Sequence, residues 1–310
     1  MRAAFVRALC ELAAEDPRVL LLTADLGWGA LEPFRERFPD RFLNVGVAEQ
    51  NMIGVATGQA REGWVPFAYS IATFASMRCY EQVRNGPVLH RLPVRVVGTG
   101  GGFSYGHAGP THHALEDLAL ARTQPGLTAV APADAAQTRS AVLATRDLPG
   151  PAYLRIDKAE FPDITALGGA FALDTPVVVR PGLDVLFLCT GSITHEALKA
   201  ADLLAGQGVS AAVAVLAHLG IAGGPALERL LAEHRAVVTV EEAWVAGGLG
   251  SLAAETIAEH GLRCRLSRRG VRVPFLAKGG GRAYLLRQHG LDAASLAAQG
   301  RALAGRRAAA

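Results

Sequence analysis

The residues best suited to chemistry fall in a few short stretches. Asn44 to Ala60 reads NVGVAEQNMIGVATGQA. There Glu49 follows a short strand and opens a helix rich in small residues, where a carboxylate is favoured by the helix dipole. Taken alone, it is a helix-end carboxylate or a group that handles a proton. Val65 to Asn85, VPFAYSIATFASMRCYEQVRN, reads as a strand, a loop and an amphipathic helix packed on the core. Gly98 to Arg122, GTGGGFSYGHAGPTHHALEDLALAR, carries His107, His112 and His113 on a glycine-rich loop. Such a loop can cradle phosphates, but GTGGG by itself is weak and lacks the dinucleotide spacing. Pro151 to Pro162, PAYLRIDKAEFP, places Arg155 on a strand and Lys158 just beyond it. That lysine is an anion contact or a solvated residue entering a linker. In Thr23 to Gly29, TADLGWG, Asp25 reads by itself as a turn or cap residue.

The elements that must hold these residues are short apolar runs alternating with helical patterns. Val19–Leu22, Val94–Gly98, Thr128–Ala131 and Ala152–Ile156 read as buried strands. Glu49–Ala60, Phe74–Asn85 and the stretch from Ala135 to Thr145 read as helices, the last after a turn with Pro132 and Asp134. Continuous apolar strands separated by helices predict a parallel sheet covered on both faces. The pattern loosens around Pro162, Gly168, Gly169 and Pro176, which predicts a linker. A second α/β run follows: strands at Val185–Leu188, Ala211–Val215, Ala236–Val240 and Arg263–Leu266, and helices at Thr194–Gly206 and Ser251–His260. The prediction is two doubly wound α/β domains with mostly parallel sheets, over 1–160 and 183–310, joined by a linker at 161–182. The Ala- and Arg-rich tail after Ala304 is expected to fray.

Composition narrows the function classes. The chain has 310 residues, half of them hydrophobic, enough for two cored domains. A formal charge of +3 gives no case for nucleic acid. The one basic cluster, Arg263, Arg265, Arg268, Arg269 and Arg272, reads as solvated surface rather than an anion site. The four cysteines are scattered, with no CxxC pair, so neither a disulfide framework nor a metal site is expected. No run of about 18 or more apolar residues predicts a membrane span, and no leader is read at the N-terminus. The expected compartment is the cytoplasm.

The stretch around Glu49 resembles the motif of transketolases, deoxyxylulose-phosphate synthases and related thiamine-diphosphate (ThDP) enzymes. The resemblance implies that Glu49 hydrogen-bonds a ring nitrogen of the cofactor's aminopyrimidine and relays the proton that activates it. In the same family three apolar or aromatic side chains wall that ring. The matching positions are Ile71, Phe74 and Met77, with Phe74 keeping the ring that stacks. GPTH resembles the family's substrate-channel loop, and His112 matches its histidine, which contacts donor and acceptor hydroxyls. His113 stands where glutamine is common. Lys158 falls closest to a substrate-phosphate position usually held by arginine, whose bidentate fork lysine lacks. Asp25 matches the first βα loop, near the substrate side of the cofactor. Leu188 to Leu204 and Val237 to Glu255 resemble the family's C-terminal domain, which mainly builds the dimer.

Departures and absences add to this. Transketolases place an aspartate four residues before the motif histidine and another histidine at the start of the loop. Here those positions are Ala108, preceded by His107, and a site near Gly100. Two sugar-reading groups are missing, so a substrate other than the usual pentose and hexose phosphates is expected. The family holds the diphosphate and Mg²⁺ through a Gly-Asp-Gly run in another domain, and this chain has none. The resemblance therefore implies the β subunit of a split transketolase. Its α partner would supply the diphosphate and Mg²⁺ ligands in an α2β2 assembly that transfers a two-carbon ketol unit between sugar-like molecules. Two alternatives stay open: a ThDP-dependent 2-oxo acid decarboxylating subunit, and a non-catalytic scaffold subunit.

Overall fold

Residues 1–273 and 279–305 are described by a computed structural model. The amphipathic helix α1 (Arg2–Glu15) buries Phe5, Val6, Leu9 and Leu12 on one side. It leads into β1 (Val19–Thr23), all of whose residues are buried. Then follow α2 (Glu32–Arg37), β2 (Phe42–Asn44), α3 (Glu49–Arg61) and β3 (Val65–Ile71). The helix expected over Phe74–Asn85 is broken: a single α turn, α4 (Tyr80–Val83), stands between π turns at Phe74–Arg78 and Arg84–Val88. β4 (Arg95–Thr99), α5 (Asp117–Arg122), β5 (Thr128–Val130), α6 (Ala135–Arg146) and β6 (Ala152–Ile156) complete the first unit. Asp134 caps α6 through the Gln137 N–H at 2.7 Å and ties down the returning chain through the Ile164 N–H at 2.9 Å.

The second unit begins earlier than expected. β7 (Val177–Arg180) lies inside the segment read as linker. Its run of three valines between prolines pairs antiparallel with the edge of the second sheet, a place where neighbouring prolines are tolerated. β8 (Val185–Thr190), α7 (Thr194–Ala205), β9 (Ala211–Val215), β10 (His218–Leu219), α8 (Pro225–Ala232), β11 (Ala236–Trp244), α9 (Leu249–Glu259), β12 (Arg265–Val271), α10 (Arg282–Gln288) and α11 (Ala293–Ala304) follow. The tail expected to fray lies, from 306 on, outside the described residues.

Both sheets are mixed but mostly parallel. The first has the order β10-β5-β6-β4-β3-β1-β2 and the second β12-β11-β8-β9-β7. β10 comes from the second unit yet pairs antiparallel with β5 of the first, His218 opposite Val130. Arg122 strengthens this seam, donating to the Gly220 and Ile221 carbonyls at 2.8 Å and pairing with Glu255. The arginines read as solvated surface are only partly so. Arg265 donates to the Leu303 carbonyl at 2.7 Å and Arg269 to Gln299, so β12 is bound to α11, while Arg263 and Arg272 are exposed. The four cysteines are free thiols.

In the first sheet β1, β2, β3, β4 and β6 run parallel, so the loops after them gather at one edge. In open α/β sheets this carboxyl edge is where ligands bind. Asp25 follows β1, Glu49 lies beyond β2, Ile71 ends β3, the glycine-rich loop follows β4, and Lys158 follows β6.

Candidate active site

Glu49 reaches its position through a pinned turn. Asn44, the last residue of β2, accepts from the N–H groups of Asp25 and Gly46, each at 3.0 Å, and donates to Asp25 Oδ1 at 3.0 Å. Gly46 takes a positive φ of 75°, a conformation costly for side chains with a Cβ. α3 then starts at Glu49 with no side-chain cap. The carboxylate therefore does not serve its own helix end. It is 1 % exposed and turns toward β3 and the first π turn. Ser70 Oγ donates to Oε1 at 3.2 Å, and Arg78 Nη1 to Oε2 at 2.6 Å.

Phe74 is half-buried and is linked to this carboxylate through Arg78. Its ring carries the Arg78 guanidinium on one face, 4.1 Å from the centroid, and meets His112 edge-on at 5.3 Å. His112 Nδ1 is 2.9 Å from Thr111 Oγ1, which helps fix the imidazole. The next neighbour is Tyr105, with ring centroids 6.1 Å from His112, and Lys158 Nζ lies 4.7 Å over the Tyr105 ring. Burial pushes the Tyr105 phenol above its ordinary value, so it stays a neutral hydrogen-bonding group. Glu49, Phe74, His112 and Lys158 thus form one chain of contacts, bridged by Arg78 and Tyr105.

Tyr105 escaped the sequence reading, and the glycines carry its signal. A Cβ on Gly100 would stand 2.1 Å from the Tyr105 ring, and its φ is 80°. The position near which transketolases carry a histidine is covered here by a tyrosine from the same loop. The glycine-rich loop also takes side chains onto its backbone: a Cβ on Gly102 would meet Glu242 at 2.5 Å. The phosphate-cradle reading of GTGGG gives way to close packing.

The remaining positions lie further out. Ile71 is buried at the end of β3, and Met77 is half-buried within the π turn. Asp25 is exposed at φ 57°, held by Asn44. His107 is exposed, and its Nε2 lies 3.3 Å from where a Cβ on Gly281 would stand, so it faces the C-terminal unit. His113 is buried edge-on against Phe103, with Nε2 3.1 Å from the Gly106 carbonyl, so it braces the loop. A groove of about 650 Å³ between α1 and the β1–α2 loop presents Arg2, Arg7 and Arg37 together with Glu11 and Glu160, a mixed-charge lining the motifs did not reveal.

Below the loop runs a buried polar seam. Glu242 accepts from the Phe103 N–H at 2.8 Å and from Arg282 at 2.5–3.1 Å. Arg155 donates to the Glu242 carbonyl at 2.6 Å. Asp157 binds Ser104 at 2.5 Å and Ser192 at 2.6 Å. These bonds anchor the His112 loop to both units.

A buried carboxylate linked through Arg78 to a half-buried aromatic face fits a flat heteroaromatic ring with N–H donors. Arg78, a planar delocalised cation, shows that such a group can be seated there. A diphosphate-bound metal fits less well. Among the described residues no group of three or more His, Cys, Asp or Glu side chains could hold a metal ion. Among them, too, no helix is long and apolar enough to cross a membrane.

Comparison with known proteins identifies the family. Residues 1–163 match the family described as transketolase, pyrimidine binding domain, and residues 175–296 match transketolase, C-terminal domain. The 6-deoxy-6-sulfo-D-fructose transketolase subunit of Clostridium sp. strain MSTE9 is 38% identical over 294 residues, 94% of this chain and 91% of that protein. An apulose-4-phosphate transketolase subunit of Phocaeicola vulgatus is 33% identical over 267 residues, 86% of each. A split-gene transketolase solved as an inactive β4 tetramer superposes with a TM-score of 0.87 at 35% identity, covering 98% of this chain and 97% of that one. The chain belongs to the transketolase family, of which it carries the pyrimidine-binding and C-terminal domains.

Proposed function

We propose that this chain is the β subunit of a two-chain, ThDP-dependent transketolase-type transferase. It moves a two-carbon ketol unit from a sugar-like donor to an aldehyde acceptor, in the cytoplasm. The observation that carries the reading is the aim of Glu49. It is buried, accepts from Ser70 and Arg78 rather than from its own helix end, and is linked through Arg78 to Phe74 at the sheet's carboxyl edge.

The cofactor would supply the carbon nucleophile and electron sink for carbon–carbon cleavage. Glu49 would hold and return a proton at a ring nitrogen, with Ser70 fixing the carboxylate. Phe74, Ile71 and Met77 would wall the ring and exclude water. His112 would hydrogen-bond substrate hydroxyls from the far side of Phe74, oriented by Thr111 and flanked by Tyr105. Lys158, with Asp25 and His107 at the rim, would meet the substrate's outer groups. Glycine and alanine at positions 100 and 108 leave fewer hydroxyl-reading side chains, which supports a specialised substrate.

The diphosphate and Mg²⁺ are assigned to an α partner. Relatives named as subunits, and a split-gene neighbour described as inactive in its β4 form, support this division. Two copies of each chain would give an α2β2 enzyme.

The test is a donor–acceptor screen on the reconstituted complex. Ketol transfer that disappears in Glu49→Ala is the expected result. Carbon dioxide release from pyruvate, with no ketol transfer, would instead establish the decarboxylating alternative. Activity unchanged in Glu49→Ala would establish the scaffold alternative.

A further inference from the structure

One side chain of this protein makes both contacts that the proposed ring would make. Arg78 Nη1 is 2.6 Å from Glu49 Oε2, and its guanidinium lies 4.1 Å from the centroid of Phe74. A guanidinium is planar, delocalised and rich in N–H donors. An aminopyrimidine is also planar and delocalised, and it too brings an N–H donor. Both would take the same aromatic face and the same carboxylate oxygen.

The local backbone delivers Arg78 to this spot and holds it there. Arg78 follows Phe74 by four residues, so the helical turn brings its side chain over the ring of residue 74. The turn is tied from several sides. Ser76 Oγ donates to the Ala72 carbonyl at 2.6 Å, Cys79 Sγ to the Ala75 carbonyl at 2.9 Å, and Gln50 Nε2 to the Arg78 carbonyl at 3.1 Å. The side chain, by contrast, is 44% exposed, and among the described residues its guanidinium is held only by Glu49 and Phe74. It has open solvent to swing into, while Ser70 keeps Glu49 Oε1 in place. A buried carboxylate stripped of its cation is costly, so something must fill the gap before cofactor arrives.

We infer that Arg78 is a placeholder for the cofactor ring, holding Glu49 and covering Phe74 until the ring displaces it. The inference rests on the ThDP reading above. It makes Arg78 a competitor of the cofactor rather than one of its contacts, one that keeps Glu49 preset.

The experiment is a calorimetric titration of ThDP with Mg²⁺ into the assembled two-chain complex, with thermal melts of each form with and without cofactor. Arg78→Leu removes the competitor and leaves Glu49 unpaired in the empty site. Cofactor is expected to bind roughly tenfold tighter, the worth of one charge-assisted hydrogen bond. The melting temperature should fall for the empty complex and match wild type for the loaded one. Arg78→Lys keeps the charge but not the flat stacking group, and covers the case in which the leucine variant does not fold. It should bind roughly threefold tighter, the size of a partly exposed cation–π contact. Equal or weaker binding in the variants, with the same melting shift in empty and loaded complexes, overturns the placeholder while leaving the cofactor assignment intact. A wild-type complex that binds no cofactor overturns both.

Discussion

Glu49 in the first unit and the pair Glu241 and Glu242 in the second are all buried carboxylates, yet their partners differ in kind. Glu241 accepts from the N–H groups of Leu249 and Gly250, at 2.9 and 2.8 Å, at the start of α9. Glu242 is held by the Phe103 N–H and by Arg282, itself mostly buried. Those donors cannot leave without unravelling a helix or a loop. Glu49 is held by a serine hydroxyl and by an arginine that is nearly half exposed. A carboxylate locked by backbone and buried charge supports the fold. One whose main partner can swing away is available to a ligand.

The sharpest way to break this comparison is to neutralise each carboxylate in turn. Glu49→Gln should lower the turnover of the assembled enzyme by about 10²–10⁴-fold, the range for a general acid–base group. Its melting temperature should move little, because the amide keeps a partner in Ser70, no charge is left buried, and the nearly half-exposed Arg78 can turn to solvent. Glu242→Leu should do the reverse, since Arg282 and the Phe103 N–H lose their acceptor together. Urea unfolding should show a loss of about 3 kcal/mol or more. Equal stability losses in the two variants would erase the distinction.

A pH series sharpens the second half of the comparison. Burial pushes the Glu241 carboxyl from its ordinary 4.5 up to about 7, against the pull of its two N–H donors. The folded chain then keeps a proton that the unfolded chain has released. This contribution is complete below pH 4.5 and is lost as pH rises to about 7, at most about 3 kcal/mol. His195 and His218, lowered by burial, act in the opposite sense as pH falls below 6.5. The wild-type-minus-Glu241→Gln difference in unfolding free energy, measured at pH 5 and pH 8, isolates the carboxyl, and it should be larger at pH 5. A smaller effect is expected at the loop between the units. Gly100→Ala drives a Cβ into Tyr105 at a positive φ and should cost about 1–3 kcal/mol. It should also raise the donor KM by shifting the neighbours of His112 and Lys158.

The central strands were legible because their apolar runs are unbroken, as in β1 and β8. α1 carries a regular apolar stripe through Phe5, Val6, Leu9, Leu12 and Ala13, open to the same reading. The π turns around α4 were not legible, since an added residue per turn changes no residue type. β7 hid behind flanking prolines, and β10 is too short for any period and pairs across units. At the site, Glu49, Phe74 and His112 were named from motif resemblance, and the structure gathers them with Lys158. Arg78 and Tyr105 join them only in three dimensions. The glycine at position 100 marks Tyr105 once the loop is folded, and while the i, i+4 spacing of Phe74 and Arg78 already makes them neighbours in a helix, only the fold brings Arg78 to Glu49.

The most direct test of the half-site assignment is a titration of ThDP with Mg²⁺ into this chain alone, and then into its mixture with a transketolase α-type partner. Tight binding only in the mixture, weakened by Phe74→Ala in this chain, is the predicted result. Tight binding to the isolated chain would place the diphosphate site within it and contradict that assignment.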